Sequence, residues 1–267
     1  MIFNCKQLAK KELTRIEKIN FSNLSLGVIQ IGEDPVSEIY IGEKRKAAEK
    51  IGIDFNHYKF SSEIDFNDLK VEISELPDDG LIVQLPIKAN LKTQEVLNLV
   101  PFEKDIDGLN EISVGKLITG RLDILPPVVG AVDKILSEKN ISLKGKNLVS
   151  VGAGRLVGRP MVSYGLSKGS TVSIIRSSTK NPKKITKNAD VIVTGVGKPE
   201  FIDETYIKKG VVVIDAGTSK VDDRVVGDVD IDSVKNKAAL ATPVPSGVGP
   251  LTVVSLLENL IKRNDGN

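Results

Sequence analysis

Runs of apolar residues alternate with amphipathic segments along the chain. The runs are rich in valine and isoleucine and lack regularly spaced polar residues, as in LSLGVIQIG (24–32) and GVVVIDAG (210–217). Such runs are typical of strands in a parallel sheet covered on both faces, and the segments between them have helical spacing. The pattern predicts an α/β protein with strands at 24–32, 54–60, 79–86, 146–154, 170–176, 189–197 and 210–217 and helices at 36–52, 66–76, 93–100, 128–140, 159–169 and 251–263.

Two consecutive prolines, Pro126 and Pro127, separate two such strand and helix series. We therefore expect two α/β domains joined near residues 124–128. Before the last helix, the segment TPVPSGVGPLT (242–252) is rich in proline and glycine. These residues disfavour a helix or a central strand, so the segment is interpreted as a stiff loop, either shaping a cleft or connecting the domains.

The helix at 36–52 carries a lysine among its apolar positions. At about 100° per residue, Val36, Tyr40, Ala47 and Ile51 fall in one arc that should face inward, and Lys44 falls in the same arc. Two interpretations are open. The lysine stem lies on apolar surface with its ammonium in water, or the ammonium points into a ligand site.

Composition narrows the functional classes. Lys and Arg number 37 and Asp and Glu number 35, so the net charge of +2 gives no reason to expect a nucleic-acid or membrane partner. With one cysteine, Cys5, and one histidine, His57, neither an internal disulfide nor a His/Cys zinc site is expected. The chain has no signal-like or membrane-spanning apolar run. We expect a soluble cytoplasmic protein without a metal.

A glycine turn joins a predicted strand to a predicted helix. SVGAGRLVGRP (150–160) holds Gly152, Gly154 and Gly158, which suits the approach of backbone amides to a pyrophosphate. The alternative is a plain β-α turn.

The next strand ends in SIIRSSTK (173–180), where an NAD enzyme usually has an acidic residue. An arginine with neighbouring hydroxyls favours a 2′-phosphate, so NADP is predicted over NAD, unless Arg176 is simply a solvated loop charge.

Eight motifs together give the chain a resemblance to the bifunctional methylenetetrahydrofolate dehydrogenase/methenyltetrahydrofolate cyclohydrolase family over nearly its whole length. They are S-x-x-Y-x-x-x-K (Ser37, Tyr40, Lys44), DGLIVQLP (79–86), EKDIDG (103–108), VGAGRLVGRP (151–160), GVGKP (195–199), VIDAG (213–217), GDVD (227–230) and TPVPSGVGPLT (242–252). The resemblance implies an N-terminal α/β folate domain, 1–125 plus 251–267, and a C-terminal Rossmann-type NADP domain, 126–250, with a cleft between them. It also implies a homodimer. The reactions implied are oxidation of 5,10-methylenetetrahydrofolate with NADP and hydrolysis of the methenyl product to 10-formyltetrahydrofolate.

The resemblance assigns a role to each folate-site residue. Lys44 handles protons in the hydrolysis, Gln84 orients Lys44, and Tyr40 packs against the aromatic part of the folate. Asp107 binds the pterin, with Asp105 as its rival. From the residues alone, Tyr40 could be a core tyrosine, Gln84 a loop amide and Asp107 a turn former. Pro243 and Gly247 are further substrate-binding candidates, and the cofactor-binding candidates are Gly152, Ala153, Gly154, Arg155, Gly158, Arg176, Ser177 and Thr218.

The chain departs from the family pattern at a few positions. Ala153-Gly154 stands where relatives have Arg-Ser, so Arg155 and Arg176 are the candidates to bind the cofactor phosphate instead. Ser246 replaces a usual glycine. Two other classes stay open at this point: a two-domain oxidoreductase for another substrate, such as a shikimate-type dehydrogenase, and a catalytically silent folate- or nucleotide-binding protein.

Overall fold

A computed structural model describes residues 1–19, 21, 23–222 and 224–265. The chain divides into two compact units. The first unit comprises residues 11–127 and the residues from 253 onward; the second comprises residues 1–10 and 128–252. The last two residues of the predicted range 251–267 lie outside the described part of the chain.

The first unit is built on a three-stranded parallel sheet in the order β2-β1-β3. Its core lies where strands β1 and β3 pack against the following helices, around Ile29, Leu69, Leu81 and Val96, all of them buried. Each such aliphatic side chain contributes up to about 2–3 kcal/mol by leaving water. The elements up to the junction are α1 (Cys5–Ile16), β1 (Ser25–Ile31), α2 (Pro35–Lys50), β2 (Asp54–Phe60), α3 (Phe66–Ser74), β3 (Gly80–Val83), α4 (Thr93–Leu97), a 3-10 turn (Phe102–Lys104) and α5 (Glu111–Ile118).

The second unit is built on a five-stranded parallel sheet in the order β10-β7-β6-β4-β5. Its core contains Val149, Ile192 and Val213 from three neighbouring strands. A separate antiparallel ribbon pairs β8 with β9. The elements are α6 (Pro127–Glu138), β4 (Asn147–Val151), α7 (Gly158–Ser167), β5 (Thr171–Ile175), α8 (Pro182–Thr186), β6 (Val191–Thr194), a 3-10 turn (Glu204–Tyr206), β7 (Val212–Asp215), β8 (Ser219–Val221), β9 (Arg224–Val226), α9 (Ile231–Val234), β10 (Leu240–Ala241) and α10 (Val248–Asn264).

The two parallel sheets confirm the α/β prediction, and every predicted strand and helix is present. Most of these elements are shorter than predicted, whereas α10 extends beyond both ends of its predicted range. Helices α1 and α5 and the β8–β9 ribbon were not predicted. None of the helices in the described part of the chain combines the length and apolarity that a membrane span needs.

The N-terminal residues differ from the predicted domain range, because residues 1–10 group with the second unit. Backbone pairing explains the difference. The amide of Phe3 donates to the carbonyl of Ala241 at 2.8 Å, and the amide of Ala241 donates to the carbonyl of Met1 at 3.0 Å. The chain start therefore extends the sheet edge at β10.

The predicted inward face of helix α2 is wrong for Val36 and Tyr40, whereas Ile51 at the end of the helix is buried as predicted. Val36 is 45% exposed and Tyr40 is 37% exposed, whereas Ser37, Ile41 and Ala48 are the buried side chains of the helix. Apolar residues lie on several sides of this helix, so periodicity did not select one face. Spacings of four, three and four residues place Lys44 in the same row as the buried side chains. The lysine thus does interrupt the buried stripe, although its neighbours differ from those predicted.

The interpretation of 242–252 as a loop is wrong for its last five residues, since helix α10 begins at Val248. Pro250 lies in the first turn of the helix, where its missing amide proton has no intrahelical partner to lose. Residues 242–247 remain outside any helix or strand.

Candidate active site

The chain order of the first sheet creates a site at its carboxyl edge. From the central strand β1 the chain leads first to β2 on one side and then to β3 on the other. Ligands of open α/β sheets bind outside the carboxyl ends of strands where the strand order reverses in this way. Gln84 follows β3 directly, and its backbone amide donates to the carbonyl of Ile29 in β1 at 2.8 Å. Its side chain is therefore presented at this edge.

Lys44 and Gln84 are in direct contact. The Nζ of Lys44 donates to Oε1 of Gln84 at 2.8 Å. The Nε2 of Gln84 donates to the carbonyl of Leu85 at 2.9 Å, which orients the amide with its oxygen toward the lysine. Burial lowers the pKa of Lys44 below its ordinary value, because a desolvated ammonium is disfavoured.

Asp107 is coupled electrostatically to this lysine. Burial raises the pKa of Asp107 to about 6, and the Lys44 charge opposes the shift while Asp105 adds to it. The same pair acts on the lysine, since the Asp107 charge opposes the fall in the pKa of Lys44. An aspartate, a lysine and a glutamine thus form one polar cluster in the first unit.

Asp105, the rival of Asp107, has a different environment. It is 3% exposed, and its carboxylate accepts hydrogen bonds from the backbone amides of Gly108 (2.9 Å), Leu109 (3.3 Å) and Asn110 (2.9 Å). Such a carboxylate is committed to folding its own loop and has little capacity left for a ligand. The geometry favours Asp107 for the ligand contact.

Two polar residues that the sequence interpretation missed support this site. Asp34 caps helix α2 by accepting from the amide of Ser37 at 2.9 Å and from its hydroxyl at 2.7 Å, so Ser37 fixes the start of the helix that carries Lys44. Asn259 in α10 donates to the carbonyls of Ile106 and Leu125. An Asp ahead of proline and serine was a readable cap signal. Nothing local in the sequence marked Asn259.

Tyr40 lies one helical turn before Lys44 and is not a core tyrosine. It forms an exposed apolar face of α2 with Val36 and with Ile39, which is 67% exposed. A face of this kind beside the lysine could accept the flat, apolar part of a ligand.

The glycine turn of the second unit lies at the corresponding place in the second sheet, after β4, where the strand order also reverses. Gly152 has φ +106°, which L side chains rarely adopt. A Cβ on Gly158 would lie 2.0 Å from the carbonyl oxygen of Gly152, so only glycine allows α7 to begin so close to the strand. A Cβ on Gly154 would meet nothing within 4 Å. No side chain caps α7. The amide of Arg159 donates to the carbonyl of Gly154 at 3.0 Å and Pro160 has no amide proton, so of the first three residues of the helix at most the Gly158 amide is left for an anion.

The arginines predicted for the cofactor phosphate surround this turn and the next strand end. Arg155 is partly buried; burial and the neighbouring charge of Arg159 both lower its pKa. Arg176 and Ser177 are exposed after β5. The amide of Arg176 donates to Oγ1 of Thr179 at 2.9 Å, which forms a local turn there.

The loops after β6 and β7 are held by two buried aspartates that the sequence interpretation did not single out. Asp228 accepts from Oγ1 of Thr194 (2.8 Å) and from the amides of Val196 (2.7 Å) and Lys198 (2.9 Å). Asp215 accepts from the amides of Gly217 and Val229. Thr218 follows directly after Gly217 and is exposed.

The segment before α10 makes a tight turn. A Cβ on Gly247 would lie 1.9 Å from the carbonyl oxygen of Pro243, so this position requires glycine. Ser246, directly before Gly247, has φ +68°. In the described part of the chain, no group of three or more His, Cys, Asp or Glu side chains is arranged to hold a metal ion.

A glycine turn at the switch point of one parallel sheet, and a lysine–glutamine–aspartate cluster at the edge of another, define a dinucleotide-dependent α/β enzyme. The chain belongs to the tetrahydrofolate dehydrogenase/cyclohydrolase family. The catalytic-domain model of this family matches residues 4–107. Its NAD(P)-binding-domain model matches residues 126–266. Membership of this family disfavours the alternative of a shikimate-type dehydrogenase.

Individual relatives cover almost the entire chain. The bifunctional protein FolD of Aquifex aeolicus is 41% identical over 95% of this chain and 89% of its own length. The crystal structure of the bifunctional enzyme FolD of Campylobacter jejuni is 34% identical, with a TM-score of 0.95 over 99% of this chain and 98% of the other. FolD of Trypanosoma brucei, solved with NADP and an inhibitor, is 28% identical, with a TM-score of 0.93 over 99% and 97% of the two chains.

Proposed function

We propose that this chain oxidises 5,10-methylenetetrahydrofolate to the 5,10-methenyl cation with NADP⁺ and then hydrolyses that cation to 10-formyltetrahydrofolate. The observation that carries the proposal is the contact between Lys44 and Gln84, 2.8 Å long, in a chain of this family. A half-buried lysine held by a neutral amide beside an aspartate suits proton transfer, whereas a silent binding protein has no need of it.

For the oxidation, the chain supplies binding and alignment. Bound NADP⁺ would supply the hydride acceptor for the methylene carbon of the folate. The residues present fit a dinucleotide, because the glycine turn is open to backbone approach at Gly154 and no side chain caps the start of α7, where the Gly158 amide lies. We assign cofactor binding to Gly152, Ala153, Gly154, Arg155, Gly158, Arg176, Ser177 and Thr218. No side-chain acid or base is required, since hydride transfer depends chiefly on the proximity of two bound carbons.

For the hydrolysis, Lys44 acts as the proton carrier. Water attacks the methenyl carbon, and neutral Lys44 accepts a proton from it. The bond from that carbon to N5 then breaks as N5 receives a proton from the Lys44 ammonium, and the second proton of the water leaves to solvent. One cation and one water thus give one neutral 10-formyl product and one proton.

The environment of Lys44 matches this role. A lowered pKa increases the fraction of lysine that can accept a proton at neutral pH. Gln84 accepts a hydrogen bond from Nζ without adding a charge, so it orients the amine and stabilises the ammonium less than a carboxylate would. A cationic substrate would lower the pKa of Lys44 further.

Folate recognition is assigned to residues around this lysine. Ionised Asp107 is suited to accept from the amino group and ring nitrogen of a pterin, which are paired donors. Tyr40 offers an aromatic surface one turn away. Pro243 and Gly247 remain predicted substrate contacts that rest on the family resemblance.

The preference for NADP over NAD rests on Arg176 and its neighbouring hydroxyls. The exposed guanidinium is free of a competing acidic residue at the end of β5, where NAD enzymes usually carry one. Arg155 is a second candidate for the phosphate, in place of the arginine that relatives have at Ala153.

A spectrophotometric assay with methylenetetrahydrofolate, run in parallel with NADP⁺ and NAD⁺, tests the oxidation. We expect NADP⁺ to be reduced at least ten times more efficiently. Reduction of neither cofactor by folded protein would overturn the proposed function and leave the silent-binder alternative.

The hydrolysis is tested with Lys44→Met, followed by the loss of methenyltetrahydrofolate absorbance. We expect loss of this activity with folate affinity largely kept. Lys46→Met is the matched control, because Lys46 is an exposed residue of the same helix that pairs with Glu43. A Lys44→Met enzyme that hydrolyses the cation at the wild-type rate would refute the role of Lys44.

We also propose that the protein acts as a cytoplasmic homodimer without a nucleic-acid or membrane partner. The homodimer rests on what the family resemblance implies, and the near-neutral charge supports the lack of a polyanionic partner. Light scattering of the purified protein tests the assembly; a monomeric mass at micromolar concentration would contradict it.

A further inference from the structure

Helix α10 returns to the first unit and contacts the loop that carries Asp107. Three of its polar side chains reach backbone carbonyls of this unit: Asn259, Lys262 and Arg263. Lys262 and Arg263 lie near the end of the helix and reach Asp123 and Phe102. Asn259 lies deeper, 6% exposed, and contacts the residue directly before Asp107.

The two amide protons of Asn259 are both used. Its Nδ2 donates to the carbonyl of Ile106 at 2.9 Å and to the carbonyl of Leu125 at 2.8 Å. The first of these carbonyls belongs to the peptide group that joins Ile106 to Asp107. A hydrogen bond to it restrains the rotation of that peptide plane, and hence the direction in which the Asp107 side chain leaves the backbone.

The other side of Asp107 is held independently. The carboxylate of Asp105 accepts from the amides of Gly108, Leu109 and Asn110, which fixes the loop after Asp107. Asp107 therefore lies between two polar anchors. The first anchor comes from a residue more than 150 positions later in the chain.

We propose that Asn259 is a positioning residue that directs the Asp107 carboxylate toward the folate. The inference rests on the proposed function, which gives Asp107 its ligand. Asn259 does not touch the reacting atoms. Removing the Asn259 side chain should weaken folate binding equally in both reactions. Cofactor binding should stay unchanged, since the proposed cofactor residues lie in the other unit.

The test compares Asn259→Ala with Asn264→Ala. Asn264 is the matched control, because its Nδ2 donates only within α10, to the carbonyl of Leu260 at 2.8 Å. We expect Asn259→Ala to raise the KM for methylenetetrahydrofolate and the Kd for tetrahydrofolate about tenfold. The KM for NADP⁺ should change less than twofold, and Asn264→Ala should change neither. Asn259→Ser keeps one donor and should give an intermediate loss of affinity, which preserves the test if the alanine variant does not fold.

A double-mutant cycle with Asp107→Ala separates positioning from general destabilisation. If Asn259 acts through Asp107, then Asn259→Ala changes the Kd for tetrahydrofolate less than twofold in the Asp107→Ala background. The inference would be overturned if Asn259→Ala raised the Kd for tetrahydrofolate tenfold in both backgrounds, or left it unchanged in the wild type. Either result would leave the proposed function intact. An unchanged Kd in Asp107→Ala alone would instead refute the assignment of Asp107 as the folate ligand.

Discussion

Asp107→Asn should make the protein more stable while it impairs folate binding. Burial raises the pKa of Asp107 from 3.8 to about 6. Each pKa unit corresponds to about 1.4 kcal/mol of preference for the protonated form, so holding this carboxylate ionised in the native state at neutral pH costs about 3 kcal/mol. Asparagine keeps the shape without the charge. The attraction of Lys44 for the carboxylate is already included in this pKa shift, so we expect a gain of up to about 3 kcal/mol.

The pH dependence of this gain identifies its cause. Between about pH 4 and pH 6 the native state binds a proton that the unfolded state releases, so the free energy of unfolding of the wild type falls as the pH rises. Asparagine does not titrate and avoids that fall. Urea unfolding should therefore give the variant its full advantage above pH 7 and almost none below pH 4. The KM for folate should be higher in the variant at pH 8 and, in the wild type, should rise as the pH drops through about 6.

Asp105→Asn is the matched control for this experiment. It lies two positions away, but its carboxylate accepts three backbone hydrogen bonds. Removing its charge weakens these bonds, so the variant should be destabilised by about 2 kcal/mol. A rise in the free energy of unfolding for Asp107→Asn together with a fall for Asp105→Asn would support the reasoning. An Asp107→Asn variant that is less stable than the wild type at pH 8 would refute it.

Three further predictions concern the proton carrier, the cofactor and the backbone. Gln84→Glu places a carboxylate beside Lys44 and raises its pKa, so the rate of methenyl hydrolysis should shift toward alkaline pH, which rates measured between pH 6 and pH 10 would reveal. Arg176→Ala should raise the KM for NADP⁺ about tenfold and change that for NAD⁺ less than twofold in steady-state assays; equal changes would contradict the phosphate assignment. Ser246→Gly should stabilise the protein by about 0.5–1 kcal/mol in urea unfolding, because φ is +68° there.

Five strands, β1, β3, β4, β6 and β7, were predictable from the sequence because they are buried on both faces. A run such as GVVVIDAG has no other stable environment in a protein of this size. The missed helices lack this signal. Helix α5 exposes Ile112, Val114 and Ile118 and buries only Ser113, so its pattern is the reverse of what a surface helix usually has.

Site residues that a local sequence feature marks were predictable. Residues whose role depends on contacts formed by folding were not. Lys44 was marked by its place in an apolar stripe, and the glycine turn by its spacing. The choice between Asp105 and Asp107 could not be made from the residues, because both lie in one turn-rich loop. Asn259 could not be found at all, since its partners are carbonyl groups, which every residue carries.

The path of the chain sets the order in which the two units can form. Helix α10 supplies Asn259, and it is joined to the rest of the first unit only after the whole second unit has been traversed. At roughly 5–20 residues per second, the ribosome needs roughly ten seconds to make the approximately 130 residues between Pro127 and Asn259. During that interval the loop of Asp107 lacks its anchor, while the second unit gains its strands one after another. The unit that holds the first parallel sheet to be synthesised is thus completed late, and the emerging chain holds an unfinished candidate site until helix α10 leaves the ribosome.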